Sequence, residues 1–183
     1  MERAGPLVIL DRDGVINYDS EAYIKSPDEW QPLPGSLEAI AALHEHGRRV
    51  VVVSNQSGVG RGLFSEAVLA AIHAKMIGAI EAAGGAVSGV YYCPHRPEEK
   101  CACRKPAPGM LEQIAHDFAC TLTGVPFVGD KVSDVRAAEA VRARPILVRT
   151  GSGVAAAASL RDRRIEIYAD LAEAVTQLLA AGS

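Results

Sequence analysis

Leu7-Val-Ile-Leu-Asp-Arg-Asp-Gly-Val-Ile-Asn17 decides the fold. Four apolar residues without alternation run directly into Asp11. That pattern reads as a short strand buried on both faces. Such strands belong to open α/β sheets, whose ligands lie just beyond the carboxyl ends of the strands. Asp11 and Asp13 stand two apart, so in an extended trace their side chains point the same way. Gly14 lets the chain turn away sharply. The stretch therefore delivers two carboxylates to one pocket, where an ordinary Asp-bearing turn carries one.

Outward from this stretch, apolar strands alternate with amphipathic helices. Residues 18–34 are polar and Pro-rich and read as a loop over the strand end, with Trp30 as an anchor. Ser36 is expected to cap a helix with Leu37, Ile40 and Leu43 inside, ended by Gly47. Residues 50–53 form a second buried strand that stops at Ser54-Asn55-Gln56, followed by a Gly-rich turn over 57–62. Leu69, Ile72, Met76 and Ile80 mark the next helix, and 90–92 a third strand. Residues 94–108 are poor in apolar residues and read as an excursion on the strand-end face. Pro108 opens a helix with Met110, Leu111, Ile114 and Phe118 inside. Strands at 126–128, 145–148 and 165–168 follow, with a helix capped by Ser133 and a mobile Gly/Ala/Ser-rich segment over 151–159. Asp170-x-x-Glu173 is a capping box before the last helix, which carries Leu171, Val175 and Leu178 inside. The expectation is a three-layer, Rossmann-like α/β fold: a mostly parallel sheet with helices on both faces. One domain over 1–183 and no large cap domain are expected.

Composition narrows the classes of function. A net charge of -3 without a basic block argues against nucleic-acid binding through a charged face. No apolar run approaches a membrane span, and Met-Glu-Arg-Ala-Gly-Pro has no signal-peptide core, so a cytoplasmic protein is expected. No exposed apolar helix face stands out, which favours a monomer. Of four cysteines, Cys120 stands apart and reads as a small buried residue. The other three crowd into Cys93-Pro-His95 and Cys101-Ala-Cys103. Three thiolates and an imidazole in one polar loop suit a closed, tetrahedral, structural Zn²⁺ site. A loop with so few apolar residues needs such a clip to fold, and zinc here would position Arg104 and Lys105. His44, His46, His73 and His116 lie on helices without partners and read as surface or satisfied residues. Gly58, Gly60 and Gly62 do not follow dinucleotide spacing.

The remaining polar residues gather at strand ends. The first strand ends in Asp11 and Asp13, the second in Ser54 and Asn55, and the fourth in Asp130, with Asp134 one helical turn on. Lys105 precedes the helix before the fourth strand. Clustered carboxylates repel one another unless a cation joins them, and oxygen ligands suit Mg²⁺. A divalent ion beside a carboxylate, a lysine and a hydroxyl suits phosphoryl transfer.

Asp11-Arg-Asp-Gly-Val-Ile, Ser54-Asn, Lys105-Pro and Gly129-Asp-Lys-Val-Ser-Asp134 resemble, in order, the four motifs of the haloacid dehalogenase-like phosphatases. The resemblance implies a phosphoaspartyl mechanism. Asp11 would be the nucleophile, and Asp13 the acid and then the base. Ser54 and Lys105 would hold the phosphoryl oxygens. Mg²⁺ would be bound by Asp11, Asp130 and the backbone carbonyl of Asp13, with Asp134 ordering metal waters or Lys131. Asp13, free of the metal through its side chain, is expected to titrate higher than Asp11. Asn55-Gln-Ser-Gly-x-x-Arg-Gly, Tyr92-Cys-Pro-His and the Cys101-x-Cys-Arg-Lys-Pro run narrow the likeness to the zinc-loop phosphatases of this family. Those act on heptose 1,7-bisphosphate, in bacterial lipopolysaccharide core synthesis, or on histidinol phosphate. A phosphorylated small molecule, first of all a sugar bisphosphate, is the implied substrate. Carried over, the substrate contacts are Asp19, Tyr23, Ser54, Asn55, Gln56, Arg61, Arg104, Lys105 and Lys131, with one extra residue in the loop over 19–23. Arg104 suits a second, remote phosphate, since a planar guanidinium binds one bidentately. A zinc-stabilised binding module on an inactive scaffold is the alternative from another class.

Overall fold

The computed structural model describes residues 6–181. Six strands make one sheet: β1 (Leu7–Leu10), β2 (Arg49–Asn55), β3 (Gly89–Cys93), β4 (Pro126–Gly129), β5 (Arg144–Val148) and β6 (Glu166–Tyr168). Their order is β3-β2-β1-β4-β5-β6, and every neighbouring pair is parallel. β1 is central, with Val8 opposite Val50 and Ile9 opposite Phe127. Its side chains explain why the apolar run does not alternate. Val8 and Leu10 join one core cluster while Leu7 and Ile9 join the other.

Helices cover both faces. Helix α1 (Ser36–Glu45), helix α3 (Glu66–Ala82) and helix α7 (Leu171–Ala181) supply Ile40, Ile72, Met76 and Val175 to the first cluster. Helix α4 (Gly109–Asp117) and helix α5 (Val132–Ala140) supply Leu111, Ile114 and Ala137 to the second. Short helix α2 (Ser57–Gly60) follows β2, and helix α6 (Gly153–Ser159) follows β5. Strand order runs outward from β1 through β2 to β3, then returns to β4 on its other side. The crevice at that reversal, beyond the carboxyl ends of β1 and β4, is where open α/β sheets bind ligands.

Several local expectations change. Ser36 is the first helical residue rather than the cap, a place taken by Gly35 at φ 76. The Ser36 Oγ lies 2.6 Å from the Ile16 carbonyl and 2.8 Å from that of Leu33, so it ties the helix to the preceding loop. Leu37 is only partly buried. Pro108 occupies the cap of α4, and Phe118 closes that helix half-buried. Ser133 lies inside α5, whose cap position is Lys131; Asp134 takes the capping role through its carboxylate. The segment over 151–159 is largely helical, as α6, and its first residue, Gly153, packs so closely on the Val148 carbonyl that no side chain fits between them. The 57–62 turn contains α2, with Gly58 packed against the Phe64 ring. Cys120 is half-buried against the second core cluster. His73 is buried, and its Nε2 has no partner. Burial pushes its pKa down to about 4, helped by the nearby Arg12 charge. Trp30 anchors the 18–34 loop in the core as expected. No described helix is long and apolar enough to cross a membrane.

Candidate active site

A cleft of about 350 Å³ opens at the carboxyl ends of β1 and β2. Asp11, Asp13, Ser54 and Lys105 line it, with Asp19, Tyr23, Asn55, Gln56, Arg104 and Lys131 around them. Strand geometry explains the convergence: parallel neighbours deliver their last residues to one edge, and Asn55 pairs in register with Cys93 of the zinc loop. Arg61 is the one sequence candidate for substrate contact that does not line the cleft. It turns outward, 3.7 Å from Glu98, both side chains being largely exposed. A larger hollow, about 480 Å³, lies at the amino ends of the strands. It lacks paired carboxylates, and its Arg144 is held by two hydrogen bonds to Glu166.

Asp11 is 4 % exposed. Its Oδ1 accepts from the Arg12 backbone N–H at 2.7 Å and lies 3.0 Å from the Lys105 ammonium. No described group engages Oδ2. Burial pushes the Asp11 carboxyl well up, and the Asp134 charge adds to this, against Lys105 and Lys131. Asp13 goes the other way. Burial alone would raise it, but the Arg12 guanidinium, with hydrogen bonds from Asn17, Arg12 and Gln56, outweighs burial and holds it low. Without the metal, then, Asp11 is pushed up and Asp13 is held down, while the expected order was for Asp11 beside Mg²⁺. Sequence reasoning left the Asp13 side chain free; the structure grips it with a buried guanidinium.

Lys105 is buried at 4 % exposure. Its ammonium donates to the Val53 carbonyl at 3.0 Å and pairs with Asp134 at 2.7 Å as well as with Asp11. These carboxylates raise its pKa against the opposing effect of burial. The other Asp134 oxygen accepts the backbone N–H groups of Asp130 and Lys131 at 3.2 and 3.0 Å. Asp134 thus holds Lys105 and the start of α5, and meets Lys131 through its backbone N–H rather than its ammonium.

Asp130 is fully buried, its carboxylate boxed in by two glycines. A Cβ on Gly14 or Gly151 would stand 2.2 Å from its Oδ2. That oxygen accepts the Ser152 N–H at 2.8 Å. The Lys131 ammonium lies 3.0 Å from Asp130 Oδ1, 3.0 Å from Asp19 and 3.5 Å from the Asp13 carbonyl. The Asp130 carboxylate and the Asp13 carbonyl therefore face one cation position. Oxygens of Asp11, Asp130 and Asp134 all lie within 4.8 Å of one another. Three buried carboxylates face two ammonium groups, and burial pushes both Asp11 and Asp130 up. An oxygen-only set short of positive charge fits a hard divalent cation such as Mg²⁺.

The Ser54-Asn55-Gln56 run divides its work. The Gln56 amide donates to Ser54 Oγ and to Asp13 Oδ2, each at 2.7 Å. The Asn55 amide donates to the Lys105 carbonyl and accepts the Lys105 N–H, each at 3.0 Å. Both ends of that amide are thus spent on the backbone of one residue, which makes Asn55 a clamp on Lys105. The two groups that sequence reading missed altogether are Arg12 and Asn17, which hold Asp13. Their only signal was position inside the first motif.

The zinc-loop ligands converge as expected. Cys93, His95, Cys101 and Cys103 place four donor atoms within 4.8 Å of one another. Sulfur–sulfur distances are 3.2 to 3.5 Å, and His95 Nδ1 stands 3.5 and 3.2 Å from Cys93 and Cys103. A tetrahedral site with zinc–sulfur bonds of about 2.3 Å draws its sulfurs about 3.7 Å apart, so the donor set fits zinc. The loop is stitched to its surroundings: Gln56 N–H donates to the Cys93 carbonyl, Gly60 N–H to that of Pro94, and Gly109 N–H to that of Ala102. Cβ atoms on Gly60 and Gly109 would meet those last two carbonyl oxygens at 2.5 Å. Arg104, on the cleft wall, donates to the His95 carbonyl at 3.3 Å.

Comparison with known proteins agrees with this geometry. The HAD-hydrolase-like family model matches residues 102–174. The chain is 49% identical over 173 residues to D-glycero-beta-D-manno-heptose-1,7-bisphosphate 7-phosphatase of Pseudomonas aeruginosa, covering 94% of this chain and 97% of the relative. It is 54% identical over 147 residues to the enzyme of the same name from Pseudomonas putida, covering 80% and 84%. The crystal structure of D,D-heptose 1,7-bisphosphate phosphatase from B. bronchiseptica, complexed with magnesium and phosphate, superposes with a TM-score of 0.91 at 48% identity, covering 96% of this chain and 99% of that one. The chain belongs to the haloacid dehalogenase-like hydrolase family, in the same branch as these heptose-bisphosphate phosphatases.

Proposed function

We propose that the chain is a magnesium-dependent phosphatase that removes the 7-phosphate of D-glycero-D-manno-heptose 1,7-bisphosphate, in the synthesis of ADP-heptose for the lipopolysaccharide core. The observation that carries the reading is Asp11: buried, 3.0 Å from Lys105, and within reach of Asp130 oxygens. That site stands in a chain similar throughout its length to enzymes of that name. We further propose a single domain without a large cap, acting as a monomer in the cytoplasm; four cysteines outside any disulfide suit a reducing compartment.

In this reading Asp11, Asp130 and the Asp13 carbonyl would hold Mg²⁺, which would supply positive charge to keep Asp11 ionised and to offset the negative charge of the phosphoryl group. An oxygen of Asp11 forms a bond to phosphorus as the bond to the sugar oxygen breaks. Asp13, held ionised beside Arg12, takes a proton from the monoanionic phosphate ester and passes it to that departing oxygen. In the second half Asp13 takes a proton from water, the water oxygen bonds to phosphorus, and the bond from phosphorus to Asp11 breaks. Inorganic phosphate leaves and Asp11 is restored. Ser54 and Lys105 hold the phosphoryl oxygens, with Lys105 following negative charge from Asp11 onto the phosphoryl group. Asp19, Tyr23, Gln56 and Lys131 border the rest of the substrate, and Arg104 binds the remote phosphate. Cys93, His95, Cys101 and Cys103 would hold zinc, which would keep the Arg104-Lys105 segment over the cleft and take no part in the chemistry.

Phosphate release from heptose 1,7-bisphosphate and from histidinol phosphate, each with and without Mg²⁺, tests the reading. Magnesium-dependent release from the heptose substrate is expected. Release from histidinol phosphate alone overturns the substrate, and release from neither selects a binding module.

A further inference from the structure

Arg12 sits between the two catalytic aspartates, yet the phosphatase reading gives it no task. It is 1 % exposed, an expensive place for a guanidinium unless something is gained. Its Nε and Nη2 reach the two carboxylate oxygens of Asp13 at 3.0 and 3.1 Å. Asn17 Nδ2 donates to Asp13 Oδ1 at 2.9 Å, and Gln56 Nε2 to Oδ2 at 2.7 Å. The Asp13 carboxylate therefore receives four hydrogen bonds, two on each oxygen. Two of the four come from one rigid, planar fork. Arg12 Nη1 finds no partner, so the guanidinium is not held in place by a network of its own. Among the described residues its side chain hydrogen-bonds and pairs with Asp13 alone.

We propose that Arg12 is a positioning residue that fixes the plane of the Asp13 carboxylate, which lines the cleft, so that its orientation is kept for proton transfer in both halves of the reaction. Asn17 and Gln56 complete the grip, and Gln56 ties it to Ser54 through the same amide nitrogen. A carboxylate on a two-carbon side chain rotates readily at its last torsion, and two single-pronged donors do not define its plane as a fork does. Without Arg12 the carboxylate turns, and proton transfer fails while phosphoryl binding persists. This inference rests on the reading of Asp13 as acid and base.

The test compares leaving groups. A p-nitrophenolate departs without a proton, whereas a sugar alkoxide needs one. In Arg12→Met, single-turnover cleavage of an alkyl phosphate such as the heptose bisphosphate should fall about 10- to 100-fold. The first release of p-nitrophenolate from p-nitrophenyl phosphate should hold its rate. It should appear as a burst, because aspartyl-phosphate hydrolysis still needs the base. The half-saturating substrate concentration in single turnover should stay within about twofold, the mark of a loss confined to the reacting state. Arg12→Lys keeps the buried charge without the fork; it should show the same pattern more weakly, and it carries the test should Arg12→Met not fold. Asp13→Asn is measured alongside. If it keeps normal turnover, the reading of Asp13 fails. If it loses turnover while the Arg12 variants lose equally on both leaving groups without a burst, the positioning role is overturned.

Discussion

Asn55→Ala separates a residue that touches substrate from one that builds the site. The Asn55 amide makes two hydrogen bonds, each 3.0 Å, to the N–H and carbonyl of Lys105. Each such bond contributes about 1 kcal/mol net, and leaving a buried peptide group unpaired costs roughly 1–3 kcal/mol. Lys105 is 4 % exposed, so water does not readily replace the lost partner. The variant should be less stable by about 2–4 kcal/mol. The functional loss should be larger than that of a substrate contact and of another kind. The Lys105 ammonium stands 3.0 Å from Asp11 only while its backbone is held, and a displacement of about 1 Å at a reacting group costs about 100-fold in rate. Urea unfolding at fixed Mg²⁺ and Zn²⁺ measures the first effect, and steady-state kinetics the second. The expected outcome is a lower midpoint with an unchanged slope, a large drop in kcat, and KM within a few-fold. A raised KM with kcat and stability intact would show that Asn55 binds substrate and that the clamp is incidental.

Further outcomes follow from the same geometry. Asp11→Asn should abolish turnover and leave no acid-stable phosphoprotein, whereas Asp13→Asn should slow both halves by about 100-fold or more; normal turnover in both refutes the assigned roles. Cys101→Ser, or chelation, should release zinc and raise hydrogen exchange over 94–108, and zinc content unchanged in the variant refutes the ligand set. Arg61→Ala should leave KM for the bisphosphate within about twofold, since its guanidinium faces Glu98 away from the cleft. His73 carries a pH dependence. Its pKa is pushed down to about 4 by burial, so between the ordinary value of 6.5 and about 4 the unfolded chain binds more protons than the native one. Its contribution is therefore present above pH 6.5 and is lost as pH falls toward about 4, to the extent of about 3 kcal/mol. His73→Leu should flatten that slope in urea unfolding at pH 5 and 7.5, and an unchanged slope overturns the assignment.

Much of the fold was legible because it depends on local pattern. The apolar runs that became β1, β2 and β4 read as buried strands, and the helical spacing of Leu69, Ile72, Met76 and Ile80 came out as the buried stripe of α3. Helix starts were read less well. Ser36 and Ser133 each had the right chemistry for a cap, but Ser36 is taken by the Ile16 carbonyl, leaving the cap to Gly35, and the Asp134 carboxylate bonds the start of α5. The 151–159 segment looked mobile by composition, and it is largely helical, packed on β5.

By itself the sequence determined the alternation of strands and helices, the carboxylates at the strand ends, and the zinc donor set. Each of these follows from spacing along a chain whose local periodicity is set by backbone geometry. Only the tertiary structure decided what those residues do to one another. It closed Asn55 onto a residue fifty positions away, turned Arg61 outward, and laid Arg12 on Asp13, which holds that carboxyl down while burial pushes Asp11 up. Proton affinity and hydrogen-bond partnership depend on burial and on distances through space, and neither is written in the order of residues.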